Sequence, residues 1–187
     1  MNFNRHSEIE GKHAFLSASK YHWIRYDPEK MTEIYHSFYT AEQGTRLHEF
    51  AAHCIRMGEK LQKKKRTLNM FVNDSIDYGM TSEQPLYYSR NCFGTTDAIA
   101  FSNGILRIND FKSGTTPAHM EQLYVYAALF CLEYDVNPED IKTILSIYQN
   151  NEIVREEASP ETIRDVMNKA IQFDALIEDI RMKEAFS

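Results

Sequence analysis

The sequence predicts an α/β fold, a central mixed sheet of about four or five strands flanked by helices. Three observations carry that prediction. Segments with apolar residues at helical spacing open and close the chain, three short alternating runs rich in β-formers follow one another in the middle, and a further helical segment separates these from two later strand-like runs. A chain of 187 residues that is 43% hydrophobic has enough apolar material for a proper core, and its length fits one domain over 1–187.

In chain order, Phe15-Leu-Ser-Ala-Ser-Lys-Tyr-His-Trp-Ile reads as a helix start capped by Ser17 or Ser19, with aromatic residues to dock it, followed by a break at Pro28. Between Met31 and Leu61, Ile34, Phe38, Ala41, Leu47, Phe50, Ala51, Cys54 and Ile55 fall at helical spacing. The interruption near Gly44 predicts two helices, the second beginning near Ala41. Lys63-Lys-Lys-Arg66 reads as a basic surface loop and Asn69 to Met80 as a short helix.

From Gln84 to Asp110 the chain changes character. Pro85-Leu-Tyr-Tyr-Ser, Gly94-Thr-Thr-Asp-Ala-Ile-Ala-Phe and Ile105-Leu-Arg-Ile-Asn-Asp-Phe-Lys predict a three-stranded antiparallel meander, with Ser102-Asn103-Gly104 as the second hairpin turn. Thr116-Pro117 then opens a helix through Tyr134, proline suiting the first turn. Ile141 to Gln149 reads as a strand, Asn150-Asn151 as a turn and the stretch to Glu157 as a short strand; Ser159-Pro160-Glu-Thr caps a final helix over about 160–183.

Composition narrows the function classes. A net charge of -6 and a pI near 5.6 exclude a sequence-independent, histone-like coat on nucleic acid. They do not exclude a local basic track beside acidic metal ligands. Cys54, Cys92 and Cys131 are an odd count without a C-x-x-C pair, which predicts reduced thiols in a cytoplasmic protein rather than a disulfide framework. The polar opening with His6, Glu8, Glu10 and His13 is no export signal, and no apolar run is long enough for a membrane span.

The chemistry concentrates at the ends of two neighbouring strands. Asp97 lies in Gly94-Thr-Thr-Asp, Asp110 ends the next strand, and Lys112, two residues on, projects to the same face as Asp110. Pairing through Ser102-Asn103-Gly104 sets Asp97 roughly opposite Asp110, and two carboxylates that close repel unless a cation lies between them. Mg2+ or Mn2+ is the natural occupant, with the backbone carbonyl of Phe111 as a third oxygen ligand. Such an ion activates a water and stabilises the charge on a phosphodiester, and Lys112 would hold that water or neutralise the developing charge.

With Gly44-Thr-Arg-Leu-His48, Gly94-Thr-Thr-Asp97, Ile108-Asn-Asp110-Phe-Lys112 and Gln122-Leu-Tyr-Val-Tyr126 in this order, the chain resembles the PD-(D/E)XK nuclease superfamily, and within it the RecB-like and phage-exonuclease branch. That branch carries G-x-x-x-H, G-x-x-D, D-x-K and Q-x-x-x-Y in the same succession. The resemblance spans about residues 15 to 150 and includes Leu16-Ser-Ala-Ser-Lys-Tyr, with the core motifs over 42–150.

The resemblance implies a restriction-endonuclease-like core with Asp97, Asp110 and Lys112 as catalytic residues. His48, Asp97, Asp110 and Phe111 become the metal ligands, and Gln122 and Tyr126 supporting or DNA-contacting groups. It implies a Mg2+- or Mn2+-dependent DNA exonuclease in phage-like recombination, replication or repair, working in a bacterial cell or phage-infected host, with self-association or a recombination protein as partner. Iron-sulfur members of the superfamily hold their cluster with four cysteines, so three, poorly placed, predict no cluster.

Plainer readings stand beside these. Asp97 and Asp110, taken singly, are ordinary strand-end turn residues. A lone His48 is a common helix-surface group, Gln122 and Tyr126 an ordinary i, i+4 pair, and Lys63, Lys64, Lys65 and Arg66 a solvated loop as readily as a DNA-backbone contact. Glu42, Glu49 and Glu121 lie beside the motifs as further carboxylates. Two rival functions remain: a structure-specific endonuclease, and a catalytically silent module that binds DNA ends or another protein on the same fold.

Overall fold

The computed structural model describes residues 14–185, so the opening with His6, Glu8, Glu10 and His13 lies outside the described residues. The chain forms two compact units, residues 1–43 and 44–187.

The first unit opens with a short 3-10 helix, Ala18–Arg25, rather than an α-helix. Ser17 caps it, its Oγ accepting from the Ser19 amide at 3.3 Å, and the Trp23 indole donates to the Ser17 carbonyl at 3.1 Å. Pro28 does not break structure here; it is the first residue of helix α1, Pro28–Met57. Asp27 caps that helix through Oδ1, which accepts from the Lys30 amide at 2.7 Å. The Phe15 ring packs against Tyr35 and Phe38 at 5.2 and 5.0 Å.

Where two helices were expected between Met31 and Leu61, α1 is continuous through Gly44. A glycine inside a helix costs about 1 kcal/mol against alanine and does not by itself end one.

In the second unit, from Gly44 on, α1 continues to Met57 and helix α2, Thr67–Asp77, follows the Lys63–Arg66 loop. The expected meander is present as β1 (Thr81–Ser89), β2 (Cys92–Ser102) and β3 (Ile105–Phe111). Asn103 and Gly104 both have positive φ, 51° and 71°, the tight-hairpin geometry that an Asn-Gly pair favours. Helix α3, Glu121–Glu133, carries the chain to β4 (Lys142–Gln149), which pairs with β3 in parallel; β5 (Glu152–Ala158) pairs antiparallel with β4, and helix α4, Pro160–Ala185, closes the fold. The result is a five-stranded mixed sheet in the order β1-β2-β3-β4-β5, within an α/β fold.

Helix α3 begins at Glu121 and not at Thr116-Pro117 because the intervening loop has another partner. The Gln149 side chain donates to the carbonyls of Gly114 (2.7 Å) and Thr116 (2.8 Å) and accepts from the Ala118 amide (3.3 Å). Three backbone groups satisfied from outside hold the segment as a loop.

Each face of the sheet carries its own core. Leu86, Ile99, Leu106, Ile108, Leu145 and Ile147 pack with Leu123, Ala127 and Phe130 of α3 and Ile163 of α4. On the opposite face Ala98, Phe111 and Tyr148 meet Ala51, Cys54 and Ile55 of α1 and Phe71 and Val72 of α2. The alternation of strand side chains produces this division: Ile108 faces one core and Phe111 the other. Ser159 caps α4 through Oγ, 3.1 Å from the Thr162 amide, and the β1–β2 hairpin tip latches onto the same helix through Arg90 with Glu178 and Ser89 with Asp174. Among the described residues no helix is long and apolar enough to cross a membrane.

Leu145 is fully buried on β4 while Val154 on the adjoining β5 is 59% exposed. Leu145→Ala should therefore lower stability by about 2–5 kcal/mol, and Val154→Ala by under about 1 kcal/mol, in urea denaturation followed by circular dichroism.

Candidate functional site

The site forms at the C-terminal ends of β3 and β4, where strand pairing, α1 and α3 bring polar groups together. The β2–β3 register pairs Ala98 with Asn109, so Asp97 and Asp110 are the next facing positions. Asp97 Oδ2 accepts from the Phe111 amide at 2.8 Å, and its Oδ1 accepts from His48 Nδ1 at 3.2 Å. That bond to Asp97 raises the His48 pKa above its ordinary value, against a smaller opposing effect of burial.

Asp110 is 3% exposed. Its Oδ1 accepts from Lys112 Nζ at 3.2 Å; its Oδ2 lies 3.0 Å from the same ammonium but is buried without a hydrogen bond. Desolvation first, and then the neighbouring Asp97, push its carboxyl above the usual range, with Lys112 pulling the other way. A buried carboxylate beside a second carboxylate, with one lysine as its ion-pair partner, is costly to the fold.

Lys112 is held from both sides. Its ammonium donates to Gln122 Oε1 at 2.9 Å, and the Gln122 amide donates to Tyr126 Oη at 3.1 Å, one helical turn on along α3. The i, i+4 pair thus forms a polar relay ending on Lys112.

Two glycines let these elements approach. A Cβ at Gly44 would stand 2.9 Å from Ser113 Oγ, just past Lys112, and His48 is one turn further on the same face of α1. A Cβ at Gly94 would stand 2.9 Å from Tyr126 Cε1, so that glycine admits the ring that holds Gln122. The G-x-x-x-H and G-x-x-D spacings each place a close contact beside a polar site residue.

The structure thus brings His48, Asp97, Asp110, Lys112, Gln122 and Tyr126 into one neighbourhood. The Phe111 ring is buried, 5.0 Å from that of His48 and 5.5 Å from that of Phe71, while its amide supports Asp97. Lys63, Lys64, Lys65 and Arg66 are exposed, and the residue after them is tied to the β4–β5 turn by paired bonds: the Thr67 amide to Asn151 Oδ1 (3.0 Å) and the Asn151 amide to Thr67 Oγ1 (2.7 Å). The basic loop therefore stands at the same end of the sheet as Lys112, whose amide bonds the Tyr148 carbonyl at 2.9 Å.

One carboxylate was missed in the sequence. Glu83 on β1 lies opposite Asp97, because Ser82 pairs with Ala98 and Gln84 with Thr96. Ligand atoms of His48, Glu83 and Asp97 all lie within 4.8 Å of one another, a group able to hold a metal ion. Glu42, Glu49 and Glu121 are exposed and belong to no such group among the described residues. Counting back from the β1–β2 turn pairs Glu83 with Ala98; the register shift between Tyr87 and Ser89, which residue types do not announce, sets it opposite Asp97.

No family model matches the chain, and no curated protein matches it, so the site's chemistry rests on its own residues.

The Gly94–Tyr126 contact is testable. Gly94→Ala should cost about 1–3 kcal/mol by overpacking, and pairing it with Tyr126→Ala should give less than the sum of the two single losses in a double-mutant cycle.

Proposed function

We propose that this chain is a divalent-metal-dependent deoxyribonuclease of the PD-(D/E)XK type with a restriction-endonuclease-like core, acting as an exonuclease on DNA. The observation that carries the reading is the buried Asp110 carboxylate, set beside Asp97 with Lys112 at 3.0 Å as its counter-charge.

The donor set fits Mg2+ or Mn2+: hard carboxylate oxygens from Asp97 and Asp110, the Phe111 carbonyl and one imidazole, His48. When bound, the ion supplies an activated water and screens the charge on the phosphate. The remaining work falls to side chains. Lys112, already fixed by Asp110 and Gln122, would hold the attacking water or neutralise the phosphate oxygen on which charge grows. Gln122 and Tyr126 keep that ammonium in place. Asp97 holds the His48 ring through Nδ1, which leaves Nε2 free to face a ligand.

Lys63, Lys64, Lys65 and Arg66 would meet the DNA backbone. Their position at the site's end of the sheet supports this reading, and so does a protein that is otherwise acidic, which needs a local basic track to approach a polyanion. A preference for DNA ends, a setting in phage-like recombination or repair and self-association or a recombination partner follow from the motif resemblance.

The test is digestion of linear and closed circular DNA with Mg2+, Mn2+ or EDTA. Linear DNA should be degraded and circles spared, EDTA should abolish the reaction, and Asp110→Asn and Lys112→Ala should each lower the rate about 10²- to 10⁴-fold while the chain stays folded. Cutting of circles identifies an endonuclease instead; metal-independent or absent cleavage by the native chain overturns the reading. Replacing Lys63, Lys64 and Lys65 by glutamate should weaken DNA binding across sequences and flatten its salt dependence by about one slope unit per lost phosphate contact in fluorescence anisotropy.

A further inference from the structure

Glu83 carries an inference beyond the motif residues. The pairing of β1 with β2 sets it opposite Asp97, and the pairing of β2 with β3 sets Asp110 on the other side of Asp97. A row of three carboxylates thus crosses three strands, in which like charges on facing positions repel.

Glu83 is strained as well as crowded. Its φ of 53° places a glutamate in the left-handed region inside a strand, where only glycine is free of steric cost. The Glu83 side chain forms no hydrogen bond or ion pair among the described residues that would compensate; what it does act on electrostatically is the nearby His48 ring. Its exposed carboxylate instead converges with His48 and Asp97, ligand atoms within 4.8 Å of one another.

A separate observation points to a cation at this row. Asp110, 3% exposed, lies on the far side of Asp97 with its Oδ2 buried, held by no hydrogen bond and only by the Lys112 ammonium at 3.0 Å. Lys112 pairs with Asp110 and His48 with Asp97, so Glu83 is the carboxylate of the row with no ion pair among the described residues.

We propose that Glu83 is a direct ligand of a divalent cation, forming with His48 and Asp97 a three-residue seat on the open side of Asp97. The proposal rests on the metal-dependent reading above and adds to it a ligand from β1 that the D-x-K motif does not supply. A seat of two carboxylates and one imidazole takes hard to borderline divalent ions and prefers Mn2+ to Ca2+, because the nitrogen donor suits the transition metal.

The test is Mn2+ binding to the full chain, read from the free-ion signal in electron paramagnetic resonance, for the native protein, Glu83→Gln and Glu83→Gly. Glycine relaxes the backbone at this position, so Glu83→Gly should melt no lower than the native chain without metal. Both variants should bind Mn2+ at least about tenfold more weakly and lose most of the rise in melting temperature that Mn2+ gives the native chain. Native-like Mn2+ affinity in both variants overturns the assignment of Glu83 and leaves the metal-dependent nuclease standing. A native chain that binds no Mn2+ overturns both.

Discussion

The pairing of β2 with β3 is the constraint on which the rest of the site depends. A two-residue turn with both central residues at positive φ admits one register, and a slip of one residue would send every side chain to the opposite face. In the observed register Ile99 and Ile108 enter one core, Ala98 and the buried Asn109 face the other, and Asp97, midway along β2, becomes the neighbour of Asp110 near the end of β3. The apolar cores enforce the carboxylate pair: separating Asp97 from Asp110 by a register shift would expose Ile108 and bury charge in its place.

The fold therefore tolerates an electrostatic liability at one end of its sheet and surrounds it with precise supports. Asp97 is fixed by the Phe111 amide and by His48, Lys112 by Asp110 and Gln122, and Gln122 by Tyr126. Gly94 gives the Tyr126 ring of α3 its room, a Cβ there standing 2.9 Å from Cε1, and Gly44 of α1 lies close to the Ser113 hydroxyl. Polar groups held this firmly around two carboxylates at close quarters make a preorganised site.

Much of this was legible in the sequence for local reasons. Alternating runs around Asn103-Gly104 announced the meander, D-x-K placed Asp110 and Lys112 on one face, and Ser159-Pro160 marked the start of α4. The misreadings have a common cause, tertiary contact. Gly44 looked like a helix break because its role, close approach to Ser113, is invisible along the chain. Thr116-Pro117 looked like a helix start because nothing local reveals that Gln149 satisfies the backbone there. Glu83 lay beyond the apparent start of its strand, and its left-handed backbone cannot be read from residue type, since glutamate seldom adopts it.

The account stands or falls on a cation among the carboxylates, and the most direct measurement is the anomalous difference map of crystals grown with Mn2+. The account predicts one or more strong peaks bounded by His48, Asp97 and their neighbouring carboxylates, with Lys112 still bonded to Gln122. No peak at this end of the sheet at saturating Mn2+, with the Lys112 ammonium moved between Asp97 and Asp110 as their only counter-charge, would contradict it.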